Sequence, residues 1–166
     1  MAYLISIPVL VIALMAQLSI FSQLPLLSGT SDLVLLVLIA WSIQEKSQNA
    51  WFWAVIGGGL ISIISAIPYG VPLFIYLAIT TIIRFGSRRI REFPVLGMLI
   101  ATIGATFLQH IIEIAILFIA GTQLPFSQSV VLVTLPSILL NLFFALPVYA
   151  LVADLARRIY PIEVQI

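Results

Sequence analysis

The chain has 166 residues, of which 63% are hydrophobic and 8% charged, with a formal net charge of +1; a soluble globular domain carries about 25% charged residues. That composition excludes a soluble globular domain, and with no extended polar stretch or linker it leaves one integral membrane domain over residues 1–166. Cysteine is absent, which excludes a disulfide framework, thiolate metal sites and cysteine catalysis.

The first apolar run covers residues 3–22. It has no Lys or Arg before it and no small-residue cleavage pattern after it, so it reads as a retained span rather than a signal peptide. The second, 32–43, is short for the roughly 20 residues that cross a bilayer and must extend into its flanks. It follows GTSD, where Thr30, Ser31 and Asp32 are placed to accept hydrogen bonds from the open N–H groups of a helix start. For Asp32, capping is the simpler reading beside ligand binding.

The third run, 50–66, repeats a small residue every fourth position, Ala54, Gly58, Ser62 and Ala66, with Gly57 and Gly59 alongside. Small residues at that spacing form a smooth helix-packing face, a simpler reading than a ligand cleft. The fourth run, 71–83, is short and reaches spanning length only by continuing to residue 91, with its arginines snorkelling to the surface. Its end, RFGSRRIRE, carries the basic cluster Arg84, Arg88, Arg89 and Arg91, which reads as a topology signal ahead of a site for anionic lipid or a cytosolic protein.

The fifth run, 95–120, contains TFLQHIIEIAIL, where Gln109, His110 and Glu113 interrupt hydrocarbon. Gln109 and Glu113 share a helix face, Thr102 and Thr106 extend it, and His110 is within i+3 reach of Glu113. The sixth run, 130–156, holds Asn141 among apolar neighbours, an amide suited to hydrogen bonding between helices, and Pro136 and Pro147, which predict a bent helix.

With six helices, all seven basic residues fall on one side: Lys46 in the second connection, the four arginines in the fourth, and Arg157 and Arg158 after the sixth. The expectation is therefore an all-α membrane protein of six transmembrane helices with both termini in the cytoplasm.

Ionisable groups at membrane depth make a functional site the default reading, and each chemistry requires a residue set. A zinc site needs more ligands than the single His110, and GLIS at residues 59–62 falls one residue short of a GxSxG elbow. A proton relay through His110 and Glu113 stands as the alternative to structural hydrogen bonding. Internal repeats or further buried charges would favour the relay. Neither is visible, so the weight lies with a polar network of Gln109, His110, Glu113 and Asn141, with no catalytic residue, cofactor or metal.

Three stretches together resemble the MreD family, the small membrane subunit of the bacterial rod-shape machinery. They are GTSDLVLLVLIAW (29–41), the glycine-rich GGGLISIISAIPYG (57–70), and LPSILLNLFFALPVYALVADLARR (135–158), which contains the element LPSILLN, a later proline and a basic end. One departure stands out: where many members carry an acid after the third-helix Gly-Leu, this chain has Ile63.

The resemblance implies a non-enzymatic scaffold of the inner membrane. Such a scaffold binds the bitopic protein MreC and, through it, joins MreB, RodA and a penicillin-binding transpeptidase in peptidoglycan synthesis during elongation. The architecture is also similar to the six-helix substrate-binding components of vitamin importers, which makes such a component the alternative function. Those components dock their energising partner through small-xxx-small alanines in the first helix. Here Ala13 and Ala16 stand three apart, against that alternative.

Overall fold

The computed structural model describes residues 2–20, 23, 25–44, 49–122 and 126–160, with the backbone alone at 2 and 87–91. Among them the chain forms six helices: α1, Ala2–Ser19; α2, Leu33–Ile43; α3, Ala50–Ile64; α4, Val71–Glu92; α5, Pro94–Ile119; and α6, Phe126–Ile159. One isolated bridge, Leu26 to Gly29, lies in the connection before α2. By length and composition α5 and α6 suffice to cross a membrane, whereas α1, α2, α3 and residues 71–86 of α4 are shorter apolar helices.

The helix with the most even apolar distribution, LVLLVLIAWSI, is the one enclosed by the others. All eleven residues of α2 are buried, with α1, α3, α4, α5 and α6 packed around it. In a bilayer a helix hydrophobic on every face could equally meet lipid, so its central placement comes from how the other helices pack on it rather than from its composition. Its length corrects the expectation that it extends into its flanks. It begins at Leu33 and ends where Gln44 turns extended, at ψ 129°, a length of roughly 16 Å.

By contrast, α4 does continue past Ile83, to Glu92. It is separated from α5 by Phe93 alone, and Pro94 occupies the first position of α5, where a missing N–H costs nothing. The arginine cluster thus falls at the α4–α5 corner, although the side chains of Arg88, Arg89 and Arg91, and all of Lys46, lie outside the described residues. Arg84 Nη1 donates to the Gln44 carbonyl at 3.3 Å, tying α4 to the end of α2.

The glycines of α3 serve two neighbours. A Cβ on Gly57 would meet Leu38 Cδ1 and Val34 Cγ1 of α2 at 3.1 Å, and one on Gly58 would sit 2.6 Å from Leu73 Cα of α4. The backbone of α4 therefore lies directly against Gly58, with Ala54 and Ser62 buried above and below it. The stripe ends there. Ser65 is extended at ψ 143°, so Ala66 lies past the helix and is exposed, which corrects its assignment to the packing face.

At the end of the bundle where α2 finishes, aromatic rings gather. Trp41 stacks on Trp53 at 4.1 Å, Tyr160 tilts against Trp41 at 6.4 Å, and Tyr3 meets Phe52 edge-on at 5.0 Å. The start of α1, the end of α2, the start of α3 and the end of α6 thus share this end. The start of α2 lies at the other.

Substituting Gly58→Leu should lower folded yield in membranes far more than Leu60→Ala. A side chain at residue 58 must push the α3 and α4 backbones away from each other, an overpacking cost of about 1–3 kcal/mol or more. Equal yields by quantitative membrane blotting would contradict the close α3–α4 crossing.

Candidate functional site

The start of α2 is a polar problem inside an apolar bundle. The first N–H groups of a helix have no partner within it and need acceptors from elsewhere. Asp32 supplies the nearest: its Oδ1 accepts from Leu35 N at 2.9 Å, the geometry of an N-cap. From α1, Gln17 Oε1 accepts from Val34 N at 3.2 Å. The N–H of Asp32 itself donates to Asn141 Oδ1 of α6 at 2.8 Å.

The second carboxylate oxygen of Asp32 makes it a junction as well as a cap. Oδ2 accepts from the Tyr76 hydroxyl of α4 at 2.5 Å and from Gln109 Nε2 of α5 at 3.2 Å. The same amide nitrogen donates its other hydrogen to Glu113 Oε1 at 3.0 Å. One Gln109 side chain therefore bridges both carboxylates, as the two donors of an amide NH₂ allow.

Asn141 forms a matching junction on α6. Its Oδ1 also accepts from the Ser31 hydroxyl at 2.9 Å, and its Nδ2 donates to Thr106 Oγ1 at 2.9 Å. A carbonyl oxygen accepting two bonds beside an amide donating a third leaves little of this side chain unmatched. His110 Nδ1 lies 3.3 Å from Thr134 Oγ1, so its partner is on α6 rather than the Glu113 expected from spacing. Thr102 is fully buried two turns below Gln109, on the same face.

How the chain before α2 reaches α6 follows from a proline. Between Val130 and Thr134, α6 widens to a π turn in which Leu135 N–H bonds to the Val130 carbonyl. Pro136 has no N–H for the Leu132 carbonyl four residues back, and that oxygen instead accepts from Ser28 N at 3.0 Å. Ser137 Oγ accepts from Thr30 N at 3.1 Å.

Gly29 fits between these two bonds. A Cβ there would lie 2.6 Å from Ser137 N and 2.7 Å from the Val133 carbonyl, so only glycine permits the approach. In effect Pro136 and Ser137 hold the entering strand of chain, and Asn141, one turn further, holds the helix start.

The knot is internal. Gln109 stands ten residues from the end of α5 at Ile119, about 15 Å; Ser31, Thr106, Gln109, Thr134, Ser137 and Asn141 are buried. Chemically, the arrangement joins α1, α2, α4, α5 and α6. Among the described residues no three His, Cys, Asp or Glu side chains gather as metal ligands.

Gln17, Tyr76, Thr134 and Ser137 are partners that sequence reasoning missed, and Ser31, expected as a cap, instead donates to Asn141. Gln17 carried the same signal that marked Gln109, a single amide in an apolar run. Tyr76 carried none, since a tyrosine in such a helix reads as an ordinary packing aromatic. Far from the knot, Arg157 and Arg158 pair with Asp154 at 3.6 and 2.8 Å on the exposed face of α6.

A family model described as rod shape-determining protein MreD matches residues 1–159. No curated protein and no solved structure matches the chain, so the likeness to importer components rests on the sequence reading alone.

Asn141→Leu should be the most damaging single change in the knot, because it orphans Ser31, Asp32 N–H and Thr106 together, at about 1–3 kcal/mol per buried group left unpaired. Tyr76→Phe removes only one of the three donors to Asp32 and should cost about 0.6–2 kcal/mol. Thermal unfolding in detergent would test the order, and a Tyr76→Phe shift as large as that of Asn141→Leu would contradict it.

Proposed function

The chain belongs to the MreD family of rod shape-determining membrane proteins, and from that premise we propose that it is a non-enzymatic scaffold subunit of the bacterial cell-wall elongation complex. In this reading it binds MreC and, through MreC, joins MreB, RodA and a penicillin-binding transpeptidase, supporting peptidoglycan synthesis without acting on it. It lies in the inner membrane as six spans with both termini in the cytoplasm. The knot around Asp32 then occupies the outer half of the bundle, away from the seven basic residues.

One observation supports the non-catalytic reading most directly: the carboxylate of Asp32 and the amide of Asn141 are each engaged by three hydrogen bonds, while Gln109 Oε1 is buried with no partner among the described residues. Asp32 receives three donors, from Leu35, Tyr76 and Gln109. Asn141 makes three bonds through its amide, and one Gln109 nitrogen links Asp32 to Glu113. A general base must present its carboxylate to a reacting group within hydrogen-bond reach. Here the bonds run between helices, which fixes their mutual placement, as a subunit that presents a shaped surface to partners requires.

The orientation is tested by reporters. Fusions after Arg158 and within 44–48 should report the cytoplasm, and fusions within 121–128 the exterior. An external C-terminus would overturn the six-span topology.

Glu113 tests the structural role of the knot. Glu113→Gln keeps an oxygen that accepts from Gln109 but cannot titrate, and it should restore rod shape in a deletion strain at normal membrane levels. Glu113→Leu leaves a Gln109 donor unpaired, costs about 1–3 kcal/mol, and should complement less well. A Glu113→Gln protein that inserts normally yet has no activity would assign a charge-dependent function to this residue.

A further inference from the structure

Of the five helices around α2, α1 and α6 leave a cleft between them. It has a volume of about 300 Å³, and its floor is Leu33 and Val37 of α2, both 7% exposed where most of that helix is fully covered. Val9 and Ala13 of α1 form one wall; Val148 and Leu151 of α6 are in the other. Every lining side chain is an alkyl group.

The lining of the cleft restricts its occupant. The walls are branched aliphatics, with Ala13 the one small residue, whereas close helix crossings in membranes use runs of small residues. A hydrocarbon chain needs no small residues.

Charge at the mouth defines the rest of the molecule. Along α6 the cleft-lining positions are Val148, Leu151, Val152 and Leu155, and the next position of that i, i+3/i+4 register is Arg158. Arg157 and Arg158 have side chains 71% and 78% exposed and share the carboxylate of Asp154, so among the described residues this end of α6 carries two positive charges against one negative. The planar fork of an arginine matches a phosphate.

We infer that the α1–α6 cleft holds one acyl chain of an anionic glycerophospholipid, whose phosphate is bound at Arg157 and Arg158. The site is separate from the polar knot and does not depend on the proposed scaffold role. It joins α1 to the last helix through a molecule of the bilayer.

Native mass spectrometry of the purified full chain tests this, with dioleoyl-phosphatidylglycerol and dioleoyl-phosphatidylcholine offered in equal amounts. The chain should retain phosphatidylglycerol preferentially. Arg157→Gln with Arg158→Gln should reduce that preference about five-fold or more, as the loss of charges near a membrane surface does. Ala13→Phe fills the cleft and should lower retention of both lipids. Leu151→Trp, at a rim position that is 73% exposed, does the same without burdening the core, should Ala13→Phe fold poorly.

Equal retention of the two lipids by the unaltered chain would overturn the inference. So would an undiminished preference in the double arginine variant, which would place the headgroup elsewhere. So too would cleft-filling variants that keep phosphatidylglycerol but lose a co-purifying bitopic protein, since the occupant would then be a helix.

Discussion

A helix start buried in hydrocarbon has open N–H groups and no water to satisfy them, and the architecture of this chain is arranged around that constraint. Because α2 is only eleven residues long, its first turn opens well inside the bundle. Gln17 of α1, Asp32 itself and Asn141 of α6 provide the acceptors. Once the Asp32 carboxylate is engaged there, its second oxygen must also be matched, and Tyr76 and Gln109 do so. Each bond satisfies one group and recruits another helix, so the knot grows from the cap outward.

The last helix has the complementary deficiency. Pro136 deprives the Leu132 carbonyl of its donor, and the π turn before it shifts the bonding register by one residue. An orphan acceptor on α6 thus faces orphan donors in the segment before α2, and Ser28 N–H closes the pair. In water either group would be solvated at little cost. At this depth the two deficiencies locate each other, and Gly29 permits the contact because it adds no Cβ.

Such a core is suited to a protein whose task is shape. Hydrogen bonds between membrane helices contribute only about 0.6–2 kcal/mol each, but they are directional, and a knot touching five helices sets their relative rotation where nonpolar packing alone would permit sliding. The glycine pair in α3 adds a steric constraint, with Gly57 admitting α2 side chains and Gly58 admitting the α4 backbone. An MreD-family subunit built this way holds a defined outer surface in a solvent that provides no hydrophobic drive for its helices to associate.

Much of this was legible in the residues. Composition identifies a membrane protein, apolar runs locate the helices to within a few residues, GTSD marks the cap of α2, and Gln109, Glu113 and Asn141 stand out because polar groups in hydrocarbon require partners. Those are local properties: solvent, periodicity and end chemistry act on neighbours along the chain. Which helix sits at the centre, that His110 meets Thr134 rather than Glu113, that Tyr76 completes Asp32, and that Gly29 lies against Pro136 were decided only by the tertiary structure. A hydrogen-bonding group specifies that it needs a partner but not where along the chain that partner stands. Here the pairs lie 44 residues apart for Tyr76 and Asp32, and 110 for Ser31 and Asn141, so only the packing of the helices could bring them together.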